Sequence, residues 1–337
     1  MFLAEQYRAL REQAGLVDRS ARGRLLLTGA DRRTYLQGLL TNDIEALTAG
    51  TGCYAALLTS QGRMLADMRV LELGDAVSID LEPATTALVR DKLEQFVFSE
   101  DVQVTDETST RAQIGVYGPQ AAAIISSALA ATHEEPSPST ALLQSMPLFA
   151  NARWSVRGSP VIVVRSDDIG VLGFDLFVDS TLAADLAGML RASGAGDVGE
   201  STANVTRVEA GRPVFGIDMD EDTIPLEAGI EERAISLTKG CYVGQEIIIR
   251  VLHRGHGRVA RRLVGLTLSD DGVPAHGDRV RSGEREVGRV TSAVYSPALQ
   301  RAIALGYVQR DFQEAGTSVT AGAGVAVVTR LPFVNPA

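Results

Sequence analysis

The segment from Lys239 to Glu246 holds the most conspicuous set of reactive side chains in the sequence. Two glycines within five residues predict a constrained turn there. The ammonium group of Lys239 would favour the thiolate of Cys241 and lower its pKa from the usual value of about 8.5. Alternatively, Cys241 is packed as a small apolar side chain, which is the commoner fate of a free thiol. The residues of this motif are Lys239, Gly240, Cys241, Tyr242, Gly244, Gln245 and Glu246.

The composition narrows the classes of protein to which this motif can belong. The 337 residues carry a net charge of -10, which disfavours general binding to nucleic acid or to an anionic membrane. Cys53 and Cys241 form no C-x-x-C pair, and the four histidines have no metal-ligand spacing. We therefore expect no zinc or iron–sulfur site built by the protein itself, and no disulfide framework.

The N-terminal region gives no sign of export. Its first 20 residues carry charges throughout and lack the apolar centre of a signal peptide. The longest apolar runs fall well short of the roughly 18 residues that a membrane span needs. We expect a cytoplasmic protein without membrane association, and direct nucleic-acid binding is not expected.

The spacing of apolar residues predicts alternating helices and strands in the first 250 residues. No Val-rich central strands are present, which favours α+β sandwiches over a parallel doubly wound sheet. Periodicity breaks near 133–140, where we expect a loop between two subdomains. The main elements predicted are a helix over 3–14, a hairpin with strands at 54–59 and 64–73, and strands at 114–117, 161–165 and 174–178.

The pattern of predicted secondary structure changes after residue 258. Short β-rich runs, such as 262–268, 287–293 and 302–308, are separated by Gly or Pro turns, which is typical of a small barrel or sandwich. We expect a core domain over 1–250 and an all-β domain over 258–332.

Several segments together resemble one superfamily. Residues 239–246 resemble the K-G-C-Y-x-G-Q-E motif of the YgfZ family, a branch of the glycine-cleavage aminomethyltransferase superfamily, and Cys241 stands where the transferases carry an acidic or aromatic residue. The matches continue in the L-x-T-N-D segment at 39–43, the hairpin at 52–62, the R-x-E-A-G segment at 207–211 and the V-G-x-V-T-S pattern at 287–292. The resemblance implies a folate-binding, aminomethyltransferase-like core of two intertwined α+β subdomains, followed by a C-terminal β-barrel.

The resemblance also implies roles for three residues. Glu209 occupies the position of a glutamate that pairs with the pterin ring of tetrahydrofolate, whose adjacent N–H donors match the two oxygens of a carboxylate. Asp67 falls on an aspartate that lies beside the reactive folate nitrogens, where it would take a proton or stabilise a cation. Tyr54 would pack against the same ligand. Otherwise, Tyr54 and Asp67 are ordinary strand residues, and Glu209 is a surface glutamate at the end of a helix.

Two departures from the transferase pattern bear on the activity. The transferases usually carry two consecutive aspartates, whereas Ala66 precedes Asp67 here. Segment 165–175 lacks the tyrosine and the first glutamate of the R-T-x-Y-T-G-E-x-G-F-E pattern. Both departures weaken the expectation of glycine-cleavage chemistry.

A basic cluster follows the motif. Arg250, Arg254 and Arg258 lead into Arg261 and Arg262 with no acid between them. The cluster would hold a folate polyglutamate tail, a tRNA or an acidic protein. Alternatively, its arginines pair with acids across an interdomain hinge.

Three functions remain open at this point. The motif with Cys241 favours a folate-binding accessory factor for iron–sulfur cluster assembly or repair, with iron–sulfur proteins, assembly factors or a tRNA-modifying enzyme as partners. Retention of Asp67 and Glu209 instead favours a folate-dependent aminomethyltransferase or demethylase that passes a one-carbon unit to tetrahydrofolate. A folate sensor without chemistry of its own is the third, because fold and ligand do not fix function.

Overall fold

The computed structural model describes residues 3–134, 136–254 and 257–335. Its helices are α1 Leu3–Glu12, α2 Arg32–Leu39, α3 Thr86–Gln95, α4 Ala121–Ala130, α5 Thr140–Ser145, α6 Ala183–Ala192, α7 Glu200–Glu209, α8 Pro225–Ala228, α9 Glu231–Ala234 and α10 Gln245–Ile249. Its strands are β1 Gly15–Asp18, β2 Gly23–Thr28, β3 Thr51–Leu58, β4 Met64–Glu72, β5 Val77–Leu81, β6 Gln103–Asp106, β7 Arg111–Tyr117, β8 Asn151–Val156, β9 Ser159–Ser166, β10 Gly173–Asp179, β11 Gly196–Asp197, β12 Arg261–Leu268, β13 Arg279–Ser282, β14 Arg285–Ser296, β15 Arg301–Gln309, β16 Ser318–Ala321 and β17 Gly324–Thr329.

Two sheets form the core, and the chain passes between them. A six-stranded sheet has the order β11-β1-β7-β10-β9-β8, and a five-stranded sheet has the order β3-β4-β5-β2-β6. The chain contributes β1 to the first sheet, builds the whole second sheet, and then returns to the first at β7. The two α+β subdomains are therefore intertwined, as predicted. All pairings are antiparallel except that of β1 with β11.

Alternation along the strands gives each sheet two apolar faces. Helices α2 and α3 cover the outer face of the five-stranded sheet through Leu36 and Val89, both fully buried. Helices α4 and α6 cover the six-stranded sheet in the same way, through Ile125 and Leu186. The two inner faces share a third apolar cluster with side chains from 215–252 and with Val259, so this part of the chain lies against both sheets.

The C-terminal strands close into a barrel of order β12-β15-β14-β13-β16-β17, in which β17 pairs back with β12. Its interior is filled by small branched side chains such as Val280, Val287 and Val308. Its outer face packs on α7 through Leu263 and Leu305. The predicted C-terminal barrel is confirmed, and its edge beside α7 closes one side of the site described next.

The element boundaries differ from the prediction in instructive places. Helix α1 ends at Glu12, two residues early, because the chain turns into β1. Asp31 immediately precedes α2, but its carboxylate accepts from the backbone N–H of Asp101 (2.8 Å) and does not cap the helix. The boundaries proposed for the two domains, 1–250 and 258–332, stay predictions. No helix in the described ranges has the length and apolarity that a bilayer crossing requires.

Candidate active site

A cavity of about 1000 Å³ opens between the two sheets, α7 and the edge of the barrel. This volume lies at the upper end of the range for small-molecule sites. The ionisable residues on its walls include Tyr54, Asp67, Arg69, Asp168, Arg212 and Arg233.

Hairpin β3–β4 brings Tyr54 and Asp67 together on the cavity wall. The register pairs Tyr54 with Arg69 and Ala56 with Asp67, so strand alternation places all four on one face. The Tyr54 hydroxyl donates to Oδ2 of Asp67 at 2.5 Å. The other oxygen, Oδ1, is buried and has no hydrogen-bond partner in the described chain. A polar atom left in this condition costs free energy unless a ligand completes it.

The surroundings of Asp67 shift its titration towards neutrality. Burial raises the pKa of Asp67 to about 6, and the hydrogen bond from Tyr54 offsets part of that increase. The nearby carboxylate of Glu82 raises the pKa further. Burial and the adjacent Asp67 also raise the pKa of Tyr54 well above its usual value, so the phenol keeps its proton. Asp67 is therefore the carboxylate best suited to exchange a proton here.

Beneath the hairpin, a fully paired network fixes the cavity floor. Arg69 is buried and donates to Asp80 and Asp175, as well as to Ser166 at 2.9 Å. The hydroxyl of Tyr117 donates to the second oxygen of Asp175 at 2.7 Å. Each charge has a partner, so this floor holds β4 rigidly against β10.

Asp168 stands on the wall beside this floor, where transferases of the resemblance carry a tyrosine. Arg19 donates to its Oδ2 at 2.5 Å. Burial opposes its ionisation, but the charges of Arg69, Arg19 and Arg22 outweigh burial and hold the pKa of Asp168 well below its usual range. Asp168 is a permanent anion at neutral pH, in contrast with Asp67.

Two arginines complete the wall on the side of Tyr54. The guanidinium carbon of Arg233 lies 5.3 Å from the centre of the Tyr54 ring. Arg233 donates to Oδ1 of Asp167 at 2.8 Å, and Arg212 donates to Oδ2 of the same carboxylate. Sequence reasoning missed all three charged residues. Only Asp167 carried a signal, because it lies in the segment that departs from the transferase pattern.

Glu209, the expected pterin contact, does not line the cavity. Its side chain is fully buried, and both carboxylate oxygens have partners. Tyr7 donates to this carboxylate at 2.8 Å, and Arg11 and Ser296 bind it as well. Each oxygen therefore already accepts hydrogen bonds within the protein, and the carboxylate joins α1 to β14. A sequence cannot show this arrangement, because Tyr7 and Ser296 lie far from residue 209 along the chain.

The motif at 239–246 positions the hairpin and does not enter the cavity. The ammonium of Lys239 donates to the backbone oxygens of Gln37, Leu40 and Asn42, each at 2.7 Å. It is committed to these carbonyls and is not available to activate Cys241, which is exposed and absent from the cavity wall. Asp67 and Cys241 therefore do not face the same cavity, contrary to a one-site mechanism that uses both.

Gly244 explains why the motif needs its second glycine. Its φ of +84° lies in the left-handed region, and a Cβ there would approach the backbone oxygen of Thr59 to 2.5 Å. Thr59 belongs to the β3–β4 turn, so the motif packs directly on the hairpin that carries Asp67. Tyr242 is buried beside Lys239, whose ammonium lies 5.2 Å from the ring centre. Gln245 and Glu246 begin α10.

The predicted basic patch lies outside the cavity. Arg250 pairs with Glu246 at 2.7 Å on the surface, and Arg258 is exposed. The side chain of Arg254 lies outside the described residues. The following arginines pair with acids of α8 and α9, Arg261 with Glu227 (3.1 Å) and Arg262 with Glu231 (2.9 Å), as in the alternative of a paired seam. Among the described residues, no cluster of His, Cys, Asp or Glu could hold a metal ion.

Comparison with known protein families shows the family to which this chain belongs. The GCVT N-terminal domain matches residues 1–239, and the glycine cleavage T-protein C-terminal barrel domain matches residues 261–335. The chain belongs to the glycine cleavage T-protein family.

Two curated relatives of this T-protein family member are named aminomethyltransferase. An aminomethyltransferase of Thermosynechococcus vestitus is 31% identical over 93% of this chain and 82% of its own length. An aminomethyltransferase of Streptomyces coelicolor is 30% identical over 98% of this chain and 88% of its own. The glycine cleavage system aminomethyltransferase T of Bartonella henselae has the same fold, with a TM-score of 0.87, 24% identity, and coverage of 98% of this chain and 89% of its own.

These findings correct the expected function. The predicted accessory role in iron–sulfur cluster assembly and tRNA modification is wrong, because relatives about 30% identical over nearly the whole chain are named aminomethyltransferases. The similarity reaches the T-protein family and does not support the YgfZ branch that Cys241 indicated. Iron–sulfur proteins, assembly factors and a tRNA-modifying enzyme likewise have no support as partners.

Proposed function

We propose that this T-protein family member is a folate-dependent aminomethyltransferase or demethylase, which moves a one-carbon unit from an amine to tetrahydrofolate. The observation that carries the proposal is Asp67, a carboxylate on the wall of a ligand-sized cavity, with one buried oxygen unpartnered and a pKa of about 6. The name shared by the curated relatives supports the same activity.

The residues present fit a bound folate. When bound, tetrahydrofolate supplies the nitrogens that accept the one-carbon unit. The cavity volume of about 1000 Å³ suits a ligand of that size together with a small amine. The unpartnered Oδ1 of Asp67 is an acceptor for an N–H of either ligand, and Tyr54 offers an aromatic face beside it.

The protein's own contribution is to hold a proton acceptor in place. At pH 7 Asp67 is mostly ionised, because the pH then exceeds its pKa of about 6. The hydrogen bond from Tyr54 fixes Oδ2, so Oδ1 faces the ligand as an acceptor and as a negative charge beside any cationic amine. The paired floor around Arg69 keeps β4 from moving as charge changes at Asp67.

Turnover of candidate donors tests the proposal. Purified protein is mixed with tetrahydrofolate and a panel of aminomethyl and N-methyl amines, and methylene- and methyltetrahydrofolate are measured by mass spectrometry. We expect product with at least one donor. Asp67→Asn should lower kcat by about 10²–10⁴-fold, the usual contribution of a positioned acid or base.

Asp222→Asn is the matched control, because Asp222 is a surface carboxylate outside the cavity and, among the described residues, its ion pair is with exposed Arg63. It should keep the wild-type rate. Tight folate binding without product from any donor would refute transfer chemistry and leave a folate-binding protein.

A further inference from the structure

The cavity arginines differ in how their charges are balanced. Arg69 binds two aspartates, Asp80 and Asp175. Arg207 has Asp218 to itself at 2.8 Å. These cations are neutralised and need nothing from a ligand.

Arg212 and Arg233 have one carboxylate between them. In the described ranges, the ion-pair partner of both is Asp167, which takes Arg233 on Oδ1 and Arg212 on Oδ2. Both arginines line the cavity, whereas Asp167 lies behind them and does not. Two cations on the cavity wall therefore share one ion-paired carboxylate, while Asp168, the next anion on that wall, acts on both through its charge but accepts its hydrogen bond from Arg19.

Arg212 is also incompletely hydrogen-bonded. Its Nε is buried and has no partner in the described residues. Burial lowers the pKa of Arg212, and the like charge of Arg233 lowers it further. An additional anion would relieve both effects, and a carboxylate matches the forked N–H groups of a guanidinium.

The position of this pair indicates which molecule brings the anion. Arg233 lies over the ring of Tyr54, and the hydroxyl of that ring binds Asp67. The ring of Tyr54 thus separates Arg233 from the carboxylate that would receive the amine. One small molecule with an ammonium and a carboxylate a few bonds apart spans that separation.

We infer that Arg212 and Arg233 form a carboxylate-binding subsite, and that the amine donor is a small amino acid derivative whose carboxylate occupies it. The role of this molecule as the amine donor rests on the proposed transfer function. Recognition of its carboxylate is a binding property that can be measured without turnover. The glutamate end of folate is the other source of the same chemistry, and the experiment separates the two.

Isothermal calorimetry with N-methylglycine and its amide tests the subsite without turnover. These probes differ only in whether a carboxylate is present. Wild-type protein should bind the acid about 10–100-fold more tightly than the amide, the ratio expected for a charge-assisted hydrogen bond. Arg212→Gln should abolish that preference by weakening the acid alone.

Arg153→Gln is the control, because Arg153 also pairs with an aspartate, Asp75, but lies outside this cavity. It should leave the preference intact. Should Arg212→Gln fail to fold, Arg212→Lys keeps the charge beside Asp167 and loses only the fork, so it should reduce the preference without abolishing it.

Three results would overturn the inference. Equal binding of acid and amide, or no heat from either, would show that no carboxylate is recognised. If Arg212→Gln instead weakens tetrahydrofolate but not tetrahydropteroate, which lacks the glutamate, the subsite belongs to folate. Preference for the acid without any turnover would preserve the subsite while the transfer function fails, so the two failures are distinguishable.

Discussion

Glu209 is a fully buried acid of the core and Asp67 a half-buried one, and they are bonded in opposite ways. Glu209 has a partner on each oxygen and is sealed between α1 and the barrel. Asp67 has one oxygen bound by Tyr54 and one left unpartnered at a cavity. A saturated carboxylate contributes to stability, whereas an unsaturated one costs stability and keeps its capacity for a ligand. The difference locates the chemistry better than residue type does.

The largest effect is expected from removing Glu209, the carboxylate that stabilises the fold. Glu209→Ala leaves Arg11 largely buried without its anion, so the free energy of unfolding should fall by about 3–5 kcal/mol in urea denaturation. Glu221→Ala, at an exposed glutamate, should stay within about 0.5 kcal/mol of wild type. If the free energy of unfolding fell only slightly in Glu209→Ala, the contacts of this carboxylate with α1 and β14 would not be a major source of stability.

A second contrast lies inside the motif, between Lys239 and Cys241. Lys239→Met orphans three backbone carbonyls, so it should lower the free energy of unfolding by about 2–3 kcal/mol. Cys241→Ser changes an exposed side chain and should shift stability by less than about 0.5 kcal/mol and leave turnover unchanged. Loss of turnover in Cys241→Ser at normal stability would contradict the positioning role given to the motif.

A smaller effect, on the pH dependence of kcat, is expected from removing the hydrogen bond that Tyr54 donates to Asp67. Tyr54 donates to the carboxylate and so lowers its pKa. Tyr54→Phe should therefore raise the pKa of Asp67 above about 6. Because the ionised form acts as the acceptor, the acidic limb of the profile of kcat against pH should move to higher pH. Activity should fall several-fold at pH 6 and little at pH 8, and an unmoved limb would show that Asp67 does not set the profile.

The same pKa has a consequence for stability that Asp67→Asn can isolate. The folded pKa of about 6 exceeds the usual value of 3.8, so the folded state holds the proton more tightly than the unfolded state. The penalty for ionising Asp67 is absent below about pH 4 and is complete above about pH 6. The stability advantage of Asp67→Asn over wild type should grow through that window and then level off.

The fold was predictable because its signals are local. The hairpin at 51–72 and the β-rich texture after 258 arise from strand alternation and turn residues, and motif similarity supplied the arrangement of the core. The site was predictable only in part. Tyr54 and Asp67 meet because a hairpin register is short-range, so the sequence revealed the pair.

The remaining site residues depend on contacts between distant segments. Asp167 meets Arg212 and Arg233 only after the segment beyond α7 folds against the six-stranded sheet. Glu209 looked like a ligand residue because its neighbours in sequence matched a family pattern, while the side chains that saturate it come from elsewhere. Sequence similarity can identify a conspicuous carboxylate without showing whether its oxygens are free.

The Glu209 cluster also constrains the order in which the polypeptide can mature. Tyr7 near one extremity binds its carboxylate, while the amides of Phe333 and Val334 near the other bind its main-chain oxygen at 2.8 and 3.0 Å. During translation the bond from Tyr7 therefore cannot form before residue 209 has left the ribosome, and the bonds from Phe333 and Val334 can form only later still. Contacts so widely separated along the polypeptide form late in folding, so the first helix is fixed in place only after most of the chain has been made.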